Sequence, residues 1–142
     1  MSRRTIAIAA ALSVLALGSP LLTANANPLA RQYYNQGVEK YETGNYQGAI
    51  ADFTKVIEIY PRHADTYSWR GTAKDDLEDY QGAIADYSKA IEINPMNAET
   101  YYNRGNTKYK LEDYQGAIAD YTKAIEINPE YANAFVNRGA AK

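Results

Sequence analysis

Reactive side chains are few in this chain. His63 is its one imidazole and there is no cysteine, which excludes disulfides, thiolate nucleophiles and the mixed His/Cys sets that hold zinc. A lone histidine without a second imidazole or thiol completes neither a catalytic nor a metal site, so His63, in the turn after Pro61, is expected to be solvated. Asp75, Asp76, Glu78 and Asp79 form an acidic run. It lacks the alternating oxygen ligands and glycine of a calcium loop and reads as a solvated, helix-capping turn. Paired carboxylates hydrolyse glycosides only where unequal environments separate their pKa values, and no part of the sequence builds such a pocket. No enzyme activity, metal or cofactor is therefore expected. The chemistry in excess is aromatic: 14 tyrosines and Trp69 all lie beyond residue 26, a supply of amphipathic rings suited to packing or to a contact surface.

The elements that must position these rings are written three times over. DYQGAIADYTKAIEINP at residues 113–129 differs at one position from residues 79–95 and at four from residues 45–61. Pro61, Pro95 and Pro129 recur at intervals of 34, as do Tyr46, Tyr80 and Tyr114, and a fixed period of this size implies stacked identical units. Each unit holds two helical patterns. The second opens on Asn45, Asp79 or Asp113, whose side-chain oxygens suit them to accept free helix N–H groups. It stops before the proline, which disfavours helical geometry in the residue preceding it. The first runs from Ala30, Ala64 or Ala98 for about four turns.

Counting from Ala98, Tyr101, Gly105, Ala117, Tyr121, Ala124 and Pro129 occupy positions 4, 8, 20, 24, 27 and 32. Tyr67, Gly71, Ala83, Tyr87, Ala90 and Pro95 repeat the set, and Tyr33, Gly37, Ala49, Phe53, Val56 and Pro61 do so nearly. This pattern resembles the tetratricopeptide repeat, and its wording, with Asn-Arg-Gly in the first helix, is similar to arrays common in bacteria, cyanobacteria included. The resemblance implies an all-α fold, a right-handed solenoid of helix–turn–helix units: repeats at 30–63, 64–97 and 98–131, and a first helix of a fourth at 132–142. The return of glycine at position 8, costly in a helix, implies that a partner helix backbone passes close by.

Position 7, usually aliphatic in the family, is here Gln36, Arg70, Arg104 and Arg138, while position 23 is Asp52, Asp86 and Asp120. Each arginine follows an aspartate by 18 residues across a repeat boundary. Three inter-repeat pairs are expected, Asp52–Arg70, Asp86–Arg104 and Asp120–Arg138, acting on register more than on net stability; the alternative is that both charges face solvent independently.

The first helices of repeats 2 and 3 agree on one side and differ on the other, each side an arc of about 160°. The differing side is the candidate working surface. In the family it lines a concave groove that holds an extended or helical peptide, which maps onto Tyr34, Asn35, Val38, Tyr41, Asp65, Trp69, Thr72, Glu99, Tyr102, Asn103, Asn106 and Tyr109. Rigid rings supply area and amides bond backbone, as peptide recognition favours. The lysines with which some members clamp a peptide carboxylate are absent: position 5 holds Tyr34, Ser68 and Tyr102, and Glu99 occupies position 2. A protein or peptide partner, neutral or basic, is the expected ligand. A glycan or aromatic molecule stacked on the rings is the alternative, and a purely architectural role through the bare C-terminal helix a third. That helix lacks its partner, so either the product is truncated or this end self-associates.

The chain starts with Arg3 and Arg4, an apolar run from Thr5 to Leu17 and Ala24-Asn25-Ala26, the layout of a secretory signal cleaved near Ala26, a retained anchor being the other option. General secretion is expected over the twin-arginine route, because Ile6 and Ala7 fit the latter poorly. The mature protein, residues 27–142, is then exported to a periplasm, lumen or exterior and not inserted in a membrane. Loss of the two arginines takes the net charge from −2 to −4, an acidic balance unlike the basic footprint of nucleic-acid binders.

Overall fold

A computed structural model describes residue 21 and residues 26–142. The signal segment expected over residues 1–26 lies outside this range but for Leu21 and Ala26. Seven helices follow in order: α1 Pro28–Glu42, α2 Tyr46–Ile59, α3 Ala64–Asp76, α4 Tyr80–Ile93, α5 Ala98–Lys110, α6 Tyr114–Ile127 and α7 Ala132–Ala141. There is no strand among the described residues. Helix α1 starts two residues earlier than its counterparts predict, because Asn27 caps it, accepting from the Leu29 N–H at 2.9 Å, with Pro28 in the first turn.

The second helices start where their caps dictate. Asn45, Asp79 and Asp113 each accept a hydrogen bond from a glycine N–H three residues on, Gly48, Gly82 and Gly116, at 3.0 Å. The turn before each cap needs one residue with positive φ. Repeat 1 uses Gly44 (φ 84°), whereas the others strain Glu78 (64°) and Glu112 (62°) into the same conformation. Asn45, Asp79 and Asp113 then donate their N–H groups back to the carbonyls of Lys40, Lys74 and Lys108 at 2.8–2.9 Å, closing the preceding helix.

Each first helix packs most extensively on the second helix of its own repeat, less on the preceding second helix, and only lightly on neighbouring first helices. Position 8 explains the tightest contact. A Cβ added at Gly37, Gly71 or Gly105 would sit 2.7, 3.0 or 2.8 Å from the ring of Phe53, Tyr87 or Tyr121. At Gly71 and Gly105 it would also lie 3.2 and 3.3 Å from the carbonyl oxygens of Ala83 and Ala117. The close backbone is there as expected, with a ring closer still. Gly139 of α7 meets nothing within 4 Å.

The buried charges are wired differently from the expected inter-repeat pairs. Arg70 donates to Asp86 from Nε at 2.8 Å and Nη2 at 2.7 Å, and Arg104 grips Asp120 with the same two distances. Both pairs lie inside one repeat, 16 residues apart. Asp52 is not held by Arg70 but by Lys40 Nζ at 2.7 Å, off the line of a hydrogen bond. Asp86 is not held by Arg104, and Asp120 is held by Arg104 and Lys108 rather than Arg138, whose guanidinium stacks on Phe135 at 5.3 Å. The reason is position: a residue on the first helix faces its own second helix most closely, and a planar fork and a carboxylate in register bind bidentately. The third nitrogen does cross the boundary. Nη1 of Arg70 donates to Thr54 at 3.1 Å and that of Arg104 to Ser88 at 3.0 Å, each on the second helix of the previous repeat.

Candidate peptide groove

The first helices α1, α3, α5 and α7 line one face, and their sequence-predicted residues fall into three groups there. Tyr34, Tyr41 and Trp69 are core. They are 3%, 2% and 5% exposed and cluster with Phe53, Val56 and Leu21. Trp69 stacks over Phe53 at 6.1 Å and meets Tyr41 edge-on at 5.3 Å, while the Tyr41 hydroxyl donates to Asp76 at 2.6 Å. The expectation that these rings form an open binding surface is therefore overturned for all three: repeat 1 is joined to repeat 2 by aromatic packing between first helices, where repeats 2 and 3 use smaller polar groups. Truncating Trp69 hollows a core.

A second group faces the groove but uses its polar atoms on neighbours. The Tyr87 hydroxyl donates to Thr72 at 3.0 Å, and the Tyr121 hydroxyl to Asn106 Oδ1 at 2.7 Å. Asn137 Nδ2 donates to that same Oδ1 at 2.9 Å and to the Tyr102 hydroxyl at 3.1 Å. Asp75 accepts from Thr107 at 2.6 Å and pairs with Lys110, and the Ser68 and Thr100 hydroxyls meet at 3.1 Å. The two tyrosine hydroxyls reach the groove from the second helix of the same repeat, and the remaining links tie successive first helices together across the concave face.

The third group has polar atoms left over: Asn35, Asp65, Glu99, Asn103 and Tyr109, with Val38 half-buried among them. Tyr109 is the most exposed of the predicted groove rings at 38%, braced edge-on by Tyr114 at 5.2 Å. Beside it a recess of about 240 Å³ opens between α5 and α7, lined by Asn106, Tyr109, Lys110, Tyr121, Asn137 and Ala140. Tyr121 and Ala140 were not among the expected groove residues. The difference between Phe53 and Tyr121 at position 24, a hydroxyl that reaches through to the groove, was the available signal.

Two carboxylates on this face stand in unusual surroundings. Burial raises the pKa of Asp65, and burial together with the charge of Asp65 pushes Glu99 up to about 7. His63 is not solvated as expected: it is 5% exposed, bonded through Nδ1 to Thr66 Oγ1 at 2.7 Å and edge-on to Tyr34 at 5.9 Å, and burial pushes its imidazole down to about 4. Among the described residues no group of three or more His, Cys, Asp or Glu is placed to hold a metal ion. No described helix is long and apolar enough to cross a membrane.

Helix pairs stacked in this way define an α-solenoid. The tetratricopeptide repeat pattern matches residues 30–63 and 98–131, and a second pattern of the same repeat matches 76–112. The chain belongs to the tetratricopeptide repeat family. Among solved structures it is similar to the MamA protein, at 27% identity and a TM-score of 0.75 over 80% of this chain and 62% of that one. The Arabidopsis OM64 TPR domain is 26% identical with a TM-score of 0.77, over 80% of this chain and 93% of that one. At 23% identity, which speaks for the fold alone, the first TPR of Spaghetti (RPAP3), solved with the HSP90 peptide SRMEEVD, superposes with a TM-score of 0.77 over 79% of this chain and 89% of that one. No curated protein sequence matches significantly.

Proposed function

We propose that this protein is an interaction scaffold that holds a peptide segment of a partner along the concave face of its first helices. The observation that carries this reading is the division of labour between the helices. Second helices are nearly invariant and spend their inner side chains on packing, while first helices touch one another lightly and keep Asn35, Asp65, Glu99, Asn103 and Tyr109 on the open side without side-chain hydrogen-bond partners among the described residues. A recess of about 240 Å³ is below the 300–1,000 Å³ of small-molecule sites, but it suits one side chain of a longer ligand. The burial of Tyr34, Tyr41 and Trp69 removes the stacking platform that a glycan or aromatic ligand needed, which favours the peptide reading. The peptide bound to the RPAP3 domain supports it at the level of the family. The leader-like first 26 residues support an exported place of action.

The test is selection of peptides on the immobilised protein, followed by affinities for a Tyr109→Ala variant. Tyr109 is exposed and outside the core, so helical content is expected to stay while affinity falls tenfold or more. Unchanged affinity removes the recess beside Tyr109 from the site.

A further inference from the structure

Resting on the groove reading above, we infer that the recess between α5 and α7 is a receptor for a primary carboxamide, the side chain of a glutamine or asparagine in the bound peptide. Two of the residues that line it, Asn106 and Asn137, carry the inference through their hydrogen bonds. Asn106 Oδ1 accepts from the Tyr121 hydroxyl at 2.7 Å and from Asn137 Nδ2 at 2.9 Å, which fills both lone pairs of that oxygen. Asn137 Nδ2 has two hydrogens, and the other goes to the Tyr102 hydroxyl at 3.1 Å. Each amide therefore has one end engaged and one end open.

The open ends are a donor, Asn106 Nδ2, and an acceptor, Asn137 Oδ1, neither with a side-chain partner among the described residues. Neither atom is sealed from solvent. Turning over one amide alone would set NH2 against NH2 or oxygen against oxygen, and turning over both still leaves one donor and one acceptor. The two amides share a single hydrogen bond where a closed pair would share two. A third amide can complete the ring, its oxygen accepting from Asn106 and its NH2 donating to Asn137.

The other walls select for a neutral ligand. Lys110 is the cation beside the recess, and its ammonium pairs with Asp75 and lies over the Tyr80 ring at 5.5 Å. Among the described residues no carboxylate lines it. A carboxylate ligand would set oxygen against Asn137 Oδ1, and an ammonium would set donors against Asn106 Nδ2. An aliphatic side chain would cover both ends without bonding either, which is costly. The Tyr109 ring, braced edge-on by Tyr114 at 5.2 Å, and Ala140 give the methylenes of the ligand an apolar wall. The site is built once among the described residues. Where α5 has Asn106, α3 has Thr72, whose hydroxyl accepts from Tyr87 and donates to the Ser68 carbonyl, both at 3.0 Å.

The experiment is selection from a random twelve-residue peptide library on the full-length chain and on its Asn106→Asp variant. That substitution keeps an oxygen for Tyr121 and Asn137 and turns the open donor into an acceptor. The native chain should enrich glutamine or asparagine at one position. Replacing that residue in a selected peptide by its acid, glutamate or aspartate, or by methionine should cost at least about tenfold in affinity, because the polar ends of the recess are then left unpaired. On the Asn106→Asp variant the same position should shift to lysine, whose ammonium only donates. In nitrogen-15 spectra of the native chain the Asn106 side-chain NH2 signals should move with the selected peptide and stay in place with its methionine analogue. Selected peptides without carboxamide enrichment, or acid and methionine analogues that bind the native chain equally well, overturn the receptor and leave the groove intact. Unchanged glutamine or asparagine preference on the variant overturns it too. Selection of no peptide by the native chain overturns both readings together.

Discussion

At the scale of single residues, His63 and Glu99 pull acid stability in opposite directions. His63 titrates near 4 in the fold and near 6.5 in an unfolded chain. Its contribution, up to about 3 kcal/mol, is complete above pH 6.5 and is lost as pH falls toward 4. Glu99 titrates near 7 in the fold against 4.5, so its contribution is complete below 4.5 and is lost as pH rises to 7. The two slopes oppose each other between pH 4.5 and 6.5, and the native chain should show a flat stability profile there. Glu99→Gln removes one of them. Urea midpoints of that variant should climb steeply from pH 4.5 to 6.5 and exceed the native value at pH 7.5; a profile parallel to the native one would show that Glu99 is not desolvated. None of this was legible in sequence. Histidine in a turn reads as solvated unless the ring that covers it is known, and here Tyr34 comes from a helix nearly thirty residues away. The same blindness misread Tyr34, Tyr41 and Trp69. Helical phase puts them on the variable side, but only the bulk of three adjacent rings decides that this side closes.

Helices, by contrast, were readable almost to the residue. Caps at Asn45, Asp79 and Asp113, stops at the prolines and glycine at position 8 are local signals with local causes. The charge pairs failed at this scale because a spacing of 18 across the boundary and one of 16 within the repeat fit the sequence equally well; packing of a helix on its own partner chose between them. Position 8 also yields a paired test. In Gly105→Ala the new methyl group would lie 2.8 Å from Tyr121, a ring fixed by its bond to Asn106, and overpacking of about 1–3 kcal/mol should outweigh the helix-propensity gain of about 1 kcal/mol. Gly139→Ala meets open space and should stabilise α7 by up to about 1 kcal/mol. Thermal midpoints moving the same way in both variants would refute the packing account.

At the scale of the whole molecule, the extensive contacts among the described helices run within a repeat or between adjacent repeats, so stability should grow by nearly equal steps as repeats are added. Insertion of one further copy of residues 98–131 after Tyr131 is expected to raise the denaturant midpoint and keep a single transition. A second, earlier transition would mean that the interface between repeats is weaker than the arginine contacts to Thr54 and Ser88 suggest. The fold was legible at this scale because a period of 34 states its architecture three times. The ligand was not, since the residues that meet it are the ones the repetition leaves out.

The placement of each arginine with the aspartate of its own repeat has a consequence for how such a chain can change length. Had the pairs crossed the boundary, every array would strand an acid at one end and a base at the other. Closed within 34 residues, the unit is electrically self-sufficient, and duplication or loss of a whole copy leaves no charge bereft. Arg138, the one arginine of this position not gripped by an aspartate among the described residues, rests over the Phe135 ring instead.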